Sequence, residues 1–262
     1  MDSTTKVTSD RTPLVSIVML TYNRADYIAQ AITSVLRQTY PHWELLIQDD
    51  GSTDTTAAIV ASFADPRIHY LPDPINKGLA QKRLKSLGYC HGVYVAILDS
   101  DDVWIDNNKL AAQVSHLTNH PTCAVVGTQI NLINELGVVI GANTYLLDDV
   151  AIRHTILVRN QFAHSSVLLR KSFLDQTTGY QKLDASEDLD LYLRLGRLGT
   201  FANLPQTMMA YRIHHNNAST NKRKILMGVL RTIKEYRSYY PNYLKAYCKF
   251  SLMLLLTRCN LR

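Results

Sequence analysis

Three short, almost unbroken apolar runs, each ending in polar or acidic residues, constrain this chain more than any other feature: residues 14–21 (LVSIVMLT), 43–48 (WELLIQ) and 93–98 (VYVAIL). A run of strand length without polar alternation fits a strand buried on both faces, as in a sheet with helices on either side. Between the first two runs, Ile28, Ala31, Ile32, Val35 and Leu36 recur with helical period, and Pro41 stops the helix. Residues 55–63 and 78–89 read as further helices, with a short strand at 67–71 between them. A turn at Asp49-Asp50-Gly51-Ser52 leads into the first of these, with Thr53 or Asp54 as its N-cap. This alternation predicts βαβ units, in which ligands bind beyond the carboxyl ends of the strands. Those ends are Thr21-Tyr22-Asn23, Asp49-Asp50 and Asp99-Ser100-Asp101-Asp102.

The second half is less regular. The pattern predicts a helix from after Asp106 to about His120, a strand at 123–132, a hairpin and a short helix within 134–161, and strands at 165–170 and 207–213. Residues 187–198 carry alternating Leu189, Leu191, Leu193 and Leu195, which suits a strand on period alone. Ser186 before two acids, with Arg194 and Arg197 late, suits a capped helix, and helix is the reading taken. Residues 221–257 read as two helices hinged at Pro241.

Several function classes drop out. The 262 residues suffice for one large domain with its own core. Four cysteines (Cys90, Cys123, Cys248, Cys259) form no C-x-x-C pair, which argues against a zinc ribbon and fits free thiols in a reducing compartment. There is no phosphate loop, dinucleotide fingerprint, zinc-protease motif or nucleophile elbow. Residues 1–12 read as a flexible polar leader, not a secretory signal. The apolar run 250–256 is far short of the roughly 20 residues that span a bilayer. Residues 222–262 hold ten Lys/Arg and one acid, Glu235, whereas the first 221 hold 18 Lys/Arg and 21 acids. A basic tail points to a polyanionic partner.

The residues that could do chemistry sit at the strand ends. Three carboxylates in Asp99-Ser100-Asp101-Asp102 repel one another, and a divalent cation relieves this while leaving positions for phosphate. The competing reading is a solvated acidic turn. Asp49-Asp50 is either a helix entry or an acceptor for a base N–H. Glu187-Asp188 is either a helix cap or the source of a general base, whose ionised form a helix N-terminus favours. His214-His215 is either a surface pair or a ligand.

Taken together, the chain resembles family 2 glycosyltransferases of the GT-A fold. The matching blocks are VSIVMLTYN at 15–23 with Tyr27-Ile28, SVLRQT at 34–39, ELLIQDDGSTD at 44–54, Asn76-Lys77-Gly78 through Arg83, residues 98–102, SEDLDL at 186–191, and Tyr211-Arg212-Ile213-His214. They occur in the family's order over residues 14–220. The resemblance implies an α/β fold: a doubly wound mixed sheet of GT-A type flanked by helices, with a C-terminal helical extension. Residues 13–220 would form the GT-A domain, with 13–105 its nucleotide-binding half and 106–220 its acceptor half, followed by basic amphipathic helices at 221–262.

It also implies roles. Thr21, Tyr22 and Asn23 would flank the nucleotide, with Tyr22 stacking on the base and Asp50 meeting a uracil edge. Arg83, Asp99 and Ser100 would complete the nucleotide site. Asp99 and Asp101 match the family's D-x-D, which with His214 would hold Mn2+ or Mg2+. Asp188 would be the catalytic base, with Glu187 beside it. Phe162-Ala163-His164-Ser165-Ser166 and Gly179-Tyr180 would line the acceptor side. Gln81-Lys82-Arg83-Leu84 departs from the family's usual Ala-Arg-Asn, and His214 is followed by His215-Asn216-Asn217. The expected activity is inverting transfer from a UDP-sugar to a hydroxyl of a saccharide or lipid-linked acceptor, in surface polysaccharide synthesis. A sugar nucleotidyltransferase and an inactive GT-A-like scaffold are the alternatives. For the tail, lying on an anionic bilayer and packing on the domain weigh evenly, the former placing the protein at the inner face of the cytoplasmic membrane. No nucleic-acid partner is expected.

Overall fold

The computed structural model describes residues 12–181, 186–215 and 221–259. Apart from Thr12, the expected leader lies outside the described residues, as do Asn216 and Asn217. In chain order the elements are β1 (Val15–Thr21), α1 (Ile28–Leu36), β2 (Trp43–Asp49), α2 (Thr56–Ala61), β3 (Ile68–Pro72), α3 (Leu79–Ser86), β4 (Tyr94–Ile97), β5 (Val103–Trp104), α4 (Lys109–Asn119), β6 (Cys123–Ile133), β7 (Val139–Asn143), α5 (Asp149–Thr155), β8 (Leu168–Arg170), α6 (Lys171–Leu174), α7 (Glu187–Leu195), β9 (Thr200–Arg212), α8 (Lys222–Glu235) and α9 (Tyr243–Cys259).

The strands form one sheet in the order β3-β2-β1-β4-β8-β6-β9-β5, with β7 also pairing with β6. The first four strands are mutually parallel. β8 then runs antiparallel to both β4 and β6, and β6 lies parallel to β9. The sheet is therefore mixed. The short antiparallel β8 joins the parallel first half to the second half.

The unbroken apolar character of β1 has a direct cause. Val15, Ile17 and Met19 share one core with Ile28, Ile32 and Val35 of α1 and with Leu110 and Leu117 of α4. Val18 and Leu20 belong to another core, with Val95, Ile97, Ile152, Leu189, Leu193 and Ile233. Alternate residues thus serve opposite faces, and both faces are covered.

The structure revises several local expectations. Residues 200–206 are strand, so β9 is longer than its pattern suggests, and β5 is a two-residue strand the pattern does not reveal. Ser186 precedes α7 but makes no side-chain cap; its hydroxyl pairs with Thr232 of α8 at 2.8 Å. Nor does Thr53 or Asp54 occupy the cap of α2, which is Thr55. Tyr236 and Tyr240 are buried in the domain: their hydroxyls donate to Asp190 Oδ1 at 2.9 Å and to the Leu193 carbonyl at 2.7 Å. Hence α8 packs on α7, whereas α9 leaves Leu244, Leu252, Leu255 and Leu256 exposed.

At the start of β4, Gly92 passes so close to β1 that a Cβ would lie 2.5 Å from the Ser16 nitrogen and 2.6 Å from the Leu14 oxygen. Both atoms are backbone and cannot swing aside. Gly92→Ala should therefore destabilise the fold by about 2–3 kcal/mol, read as a lower urea midpoint at unchanged slope; a wild-type midpoint would contradict this packing.

Candidate active site

The three strand-end loops meet, held by short polar contacts. The Asp50 N–H donates to the Thr21 carbonyl at 2.9 Å, and the Asn23 N–H donates to Ser52 Oγ at 2.8 Å. Asn23 takes a positive φ of 49° and accepts the Thr53 N–H at 2.8 Å. An amide side chain tolerates that backbone and bonds locally. Asp50 is buried, and its oxygens accept the Lys77 and Gly78 N–H groups, each at 2.8 Å. Asp50 therefore fixes the loop ahead of α3, and a base edge would meet oxygens that already carry backbone bonds. Tyr22 is 41% exposed at the rim. Thr21 Oγ1 is buried with no hydrogen-bond partner among the described residues.

The acidic loop divides its labour. Asp102 points inward and is almost fully buried, accepting from Ser165 Oγ and, at 2.9 Å, from the Arg212 N–H. Burial and the neighbouring carboxylates push its pKa well up. Ser165 Oγ also accepts the Asp99 N–H at 3.0 Å, so one hydroxyl pins both ends of the loop. Arg212, itself fully buried, donates from Nε to the Asp101 carbonyl at 2.8 Å and from Nη2 to Gln30 at 2.7 Å. Asp101 points outward: its Oδ2 lies 2.9 Å from His214 Nε2 and 3.3 Å from Arg24 Nε. Asp99 turns the other way, 3.4 Å from Arg83. Ser100 is buried behind them.

Arg83 links this loop to the proposed base. It is buried, with Nε 3.6 Å from Glu187 Oε1 and, among the described residues, no hydrogen-bond partner on that nitrogen. Asp188 opens α7 with Oδ1 accepting the Leu189 N–H at 2.7 Å and Oδ2 accepting Asn160 Nδ2 at 3.1 Å. The helix N-terminus does not dominate its titration. Burial, and then the adjacent Glu187 charge, raise the Asp188 pKa to about 6. Burial raises Asp99 as well, against the pull of Arg83.

The segment expected to line the acceptor side is mostly enclosed. Phe162, Ala163, Ser165, Ser166 and Tyr180 are buried. His164 is held between the Tyr192 hydroxyl at 2.8 Å and the Tyr180 hydroxyl at 3.1 Å. Burial, reinforced by Arg83, lowers its pKa well below the usual histidine value, so the ring is neutral and uses one nitrogen as donor and the other as acceptor.

Among the described residues no three His, Cys, Asp or Glu side chains form a metal-binding set. Asp99, Asp101 and His214 do not converge on one point: Asp101 meets His214, and Asp99 faces Arg83. Two protein donors, carboxylate and imidazole, suit a divalent cation whose other positions are filled by phosphate oxygens or water. Around them, the carboxylates of Asp99, Asp101, Asp102, Glu187 and Asp188 outnumber the guanidinium groups of Arg24, Arg83 and Arg212. The residue types thus fit such an ion. Sequence reasoning missed Arg24, Asn160, Ser165 as a clamp, and Arg212. The Tyr-Arg-Ile-His block contained Arg212 without indicating what it holds.

Residues 16–171 match the family described as Glycosyl transferase family 2. A Bacillus subtilis protein named for teichuronic acid biosynthesis, TuaG, is 35% identical over 221 residues, covering 81% of this chain and 84% of that protein. The Escherichia coli UDP-Glc:alpha-D-GlcNAc-diphosphoundecaprenol beta-1,3-glucosyltransferase WfgD is 43% identical over 126 residues, 48% of this chain and 49% of that one. The Pyrobaculum calidifontis mannosyltransferase PcManGT, solved with GDP-Man and Mn2+, superposes with a TM-score of 0.69 at 17% identity, covering 94% of this chain and 70% of that one; it shows the GT-A fold.

Ser165→Ala would leave the Asp99 N–H unpaired and the buried Asp102 carboxylate with one donor fewer. It should cost about 1–3 kcal/mol in denaturant unfolding; an unchanged midpoint would show that the clamp contributes nothing.

Proposed function

The chain belongs to glycosyl transferase family 2 and is a glycosyltransferase, and from that premise we propose an inverting enzyme that moves a hexosyl or N-acetylhexosaminyl group from a UDP-sugar to a hydroxyl of a saccharide or lipid-linked saccharide during polysaccharide synthesis. One observation carries the reading: a single buried guanidinium, Arg83, stands 3.4 Å from Asp99 and 3.6 Å from Glu187, beside Asp188. The acidic strand end and the candidate base, far apart in sequence, are therefore brought together around one guanidinium. Buried Thr21 Oγ1 and Arg83 Nε, both without hydrogen-bond partners among the described residues, are polar atoms that a nucleotide could satisfy.

In this reading Tyr22 stacks on the base and Arg83 offers positive charge to the donor. Asp101 and His214 hold Mn2+ or Mg2+, which when bound supplies counter-charge for the diphosphate. Asp188 takes the proton from the acceptor hydroxyl as its oxygen attacks the anomeric carbon from the face opposite the leaving diphosphate, so one displacement inverts the centre. Asn160 holds the carboxylate's Oδ2 and the Leu189 N–H its Oδ1, which fixes the direction of proton transfer. The names of TuaG and WfgD support a polysaccharide product, a UDP donor and a lipid-linked acceptor. No described helix is long and apolar enough to cross a membrane. The basic residues of α8 and the exposed leucines of α9 support contact with an anionic bilayer at the inner face of the cytoplasmic membrane.

Asp188→Asn should lower transfer by about 10²–10⁴-fold while calorimetric binding of UDP with Mn2+ is unchanged; rates within a few-fold of wild type would remove Asp188 from its role. The base works ionised and its pKa is about 6, so the rate should climb with pH through about 6 and then level. Glu187→Gln removes the like charge that helps raise this pKa, so the acid limb should move to lower pH. A limb that stays put would exclude Glu187 as a cause. Asp101→Ala should abolish the metal-dependent part of UDP binding; retention of that part would place the ion elsewhere.

A further inference from the structure

The connection between β6 and β7 is rigid and apolar at once. The Asn134 N–H donates to the Val138 carbonyl and the Gly137 N–H to the Asn134 carbonyl, both at 3.0 Å. Asn134 Oδ1 accepts the Leu136 and Val138 N–H groups at 3.0 and 2.9 Å, and Gly137 takes the positive φ of 82° that closes the turn. A preorganised turn of this kind ordinarily carries polar side chains. This one exposes Leu136 at 87%, Val138 and Val139 at 57% each, and Ile140 at 55%. Glu135 carries the only ionisable side chain in NELGVVIGAN, residues 134–143, and is engaged by His215 at 3.0 Å. An apolar edge strand left bare invites association, so a cover is expected.

The turn is also fixed to the site. Nη1 of Arg212 donates to the Asn134 and Glu135 carbonyls at 3.2 and 3.0 Å, while its Nε holds the Asp101 carbonyl at 2.8 Å. One buried guanidinium thus sets the aliphatic turn beside the loop proposed to grip the donor diphosphate.

We propose that the 136–140 turn is a shallow membrane-insertion element that seats the mouth of the active site on the bilayer carrying the acceptor. This rests on the reading of the acceptor as lipid-linked. The occupant is lipid rather than a second copy of the chain for two reasons. Four side chains on one turn are far fewer than the roughly 20–30 residues a side of a stable protein interface. The basic tail, ten Lys/Arg against one acid over residues 222–262, is complementary in charge to anionic lipid. Reversible surface binding takes both an apolar and a charged contribution, and the turn provides an apolar one beside the Asp101 loop.

The test uses the full chain and vesicles of equal parts phosphatidylglycerol and phosphatidylethanolamine. Wild type should float with the vesicles. The variant carrying Leu136→Ser, Val138→Ser, Val139→Ser and Ile140→Ser together should partition about tenfold less, with UDP–Mn2+ calorimetry unchanged as evidence of folding. The single variant Leu136→Trp, whose new indole joins the buried Trp43 and Trp104, should gain blue-shifted emission on vesicle addition and be quenched by brominated lipid. Undiminished flotation of the fourfold variant, or an indole that stays in water while the protein floats, would overturn the proposal and leave attachment to the tail. So would wild type failing to float, or sedimenting as a dimer that the fourfold variant dissolves. If instead wild type fails to bind UDP with Mn2+, the donor reading falls, and the flotation and emission results still decide the turn.

Discussion

The site depends on how one fully buried carboxylate, Asp102, is satisfied. Burying it just before β5 is costly unless its oxygens are matched, and they are matched by groups from the other half of the chain: the Ser165 hydroxyl and the Arg212 N–H. Ser165 reaches it because β8 runs antiparallel between β4 and β6, and Arg212 because β9 returns alongside β5. With Asp102 anchored, Asp99 and Asp101 must project from a loop with little freedom. The mixed sheet is thus the condition under which the acidic loop can be held from behind.

That anchoring separates the carboxylates electrostatically. Asp101 shares Arg24 and His214, Asp99 faces Arg83, and Asp188 has hydrogen bonds from Asn160 and from the backbone but no carboxylate-matched cation of its own. Asp188, the proposed base, has its pKa raised by burial and by Glu187, beside a loop in which burial also raises Asp99 and Asp102. A stronger base is a better acceptor for an alcohol proton, provided it remains ionised near neutrality, and a value of about 6 meets both requirements. The helix N-terminus, which on its own would hold Asp188 low, is outweighed here because the side chain leaves water.

The strands with two buried faces were legible because their composition is itself the signature of a sheet covered on both sides, and the acidic strand ends followed from chain order. What was not legible rests on partners remote in sequence. Ser165 lies 63 residues from Asp102, and Gln30 lies 182 from Arg212. Nothing local to Tyr-Arg-Ile-His says that its arginine is the most enclosed large side chain of the site. β9 was cut short because Asn203, Pro205 and Gln206 interrupt its apolar pattern, yet Asn203 is buried and donates from Nδ2 to the Leu146 and Gln161 carbonyls. The hydroxyl of Ser165, within the 162–166 segment, meets Asp102 and the Asp99 N–H, a role that neither the resemblance nor chain order indicates.

The same difficulty applies to the C-terminal helices, and it changes how their role must be examined. Basic residues, tyrosines and leucines together read as one amphipathic surface, but the tyrosines divide. Tyr239 and Tyr247 are exposed, while Tyr236 and Tyr240 bond into α7. Thr232 meets Ser186 directly before the Glu187-Asp188 pair, and Tyr236 shares Asp190 with Arg194. The first tail helix therefore braces the helix that carries Asp188, the proposed base. Deleting residues 222–262 would strip these supports and disturb Asp188 whatever the tail does at a membrane. Lost activity in such a truncation would say nothing about lipid. Substitutions confined to the exposed leucines of α9 leave α8 and its contacts in place, so they can separate attachment from catalysis where a truncation cannot.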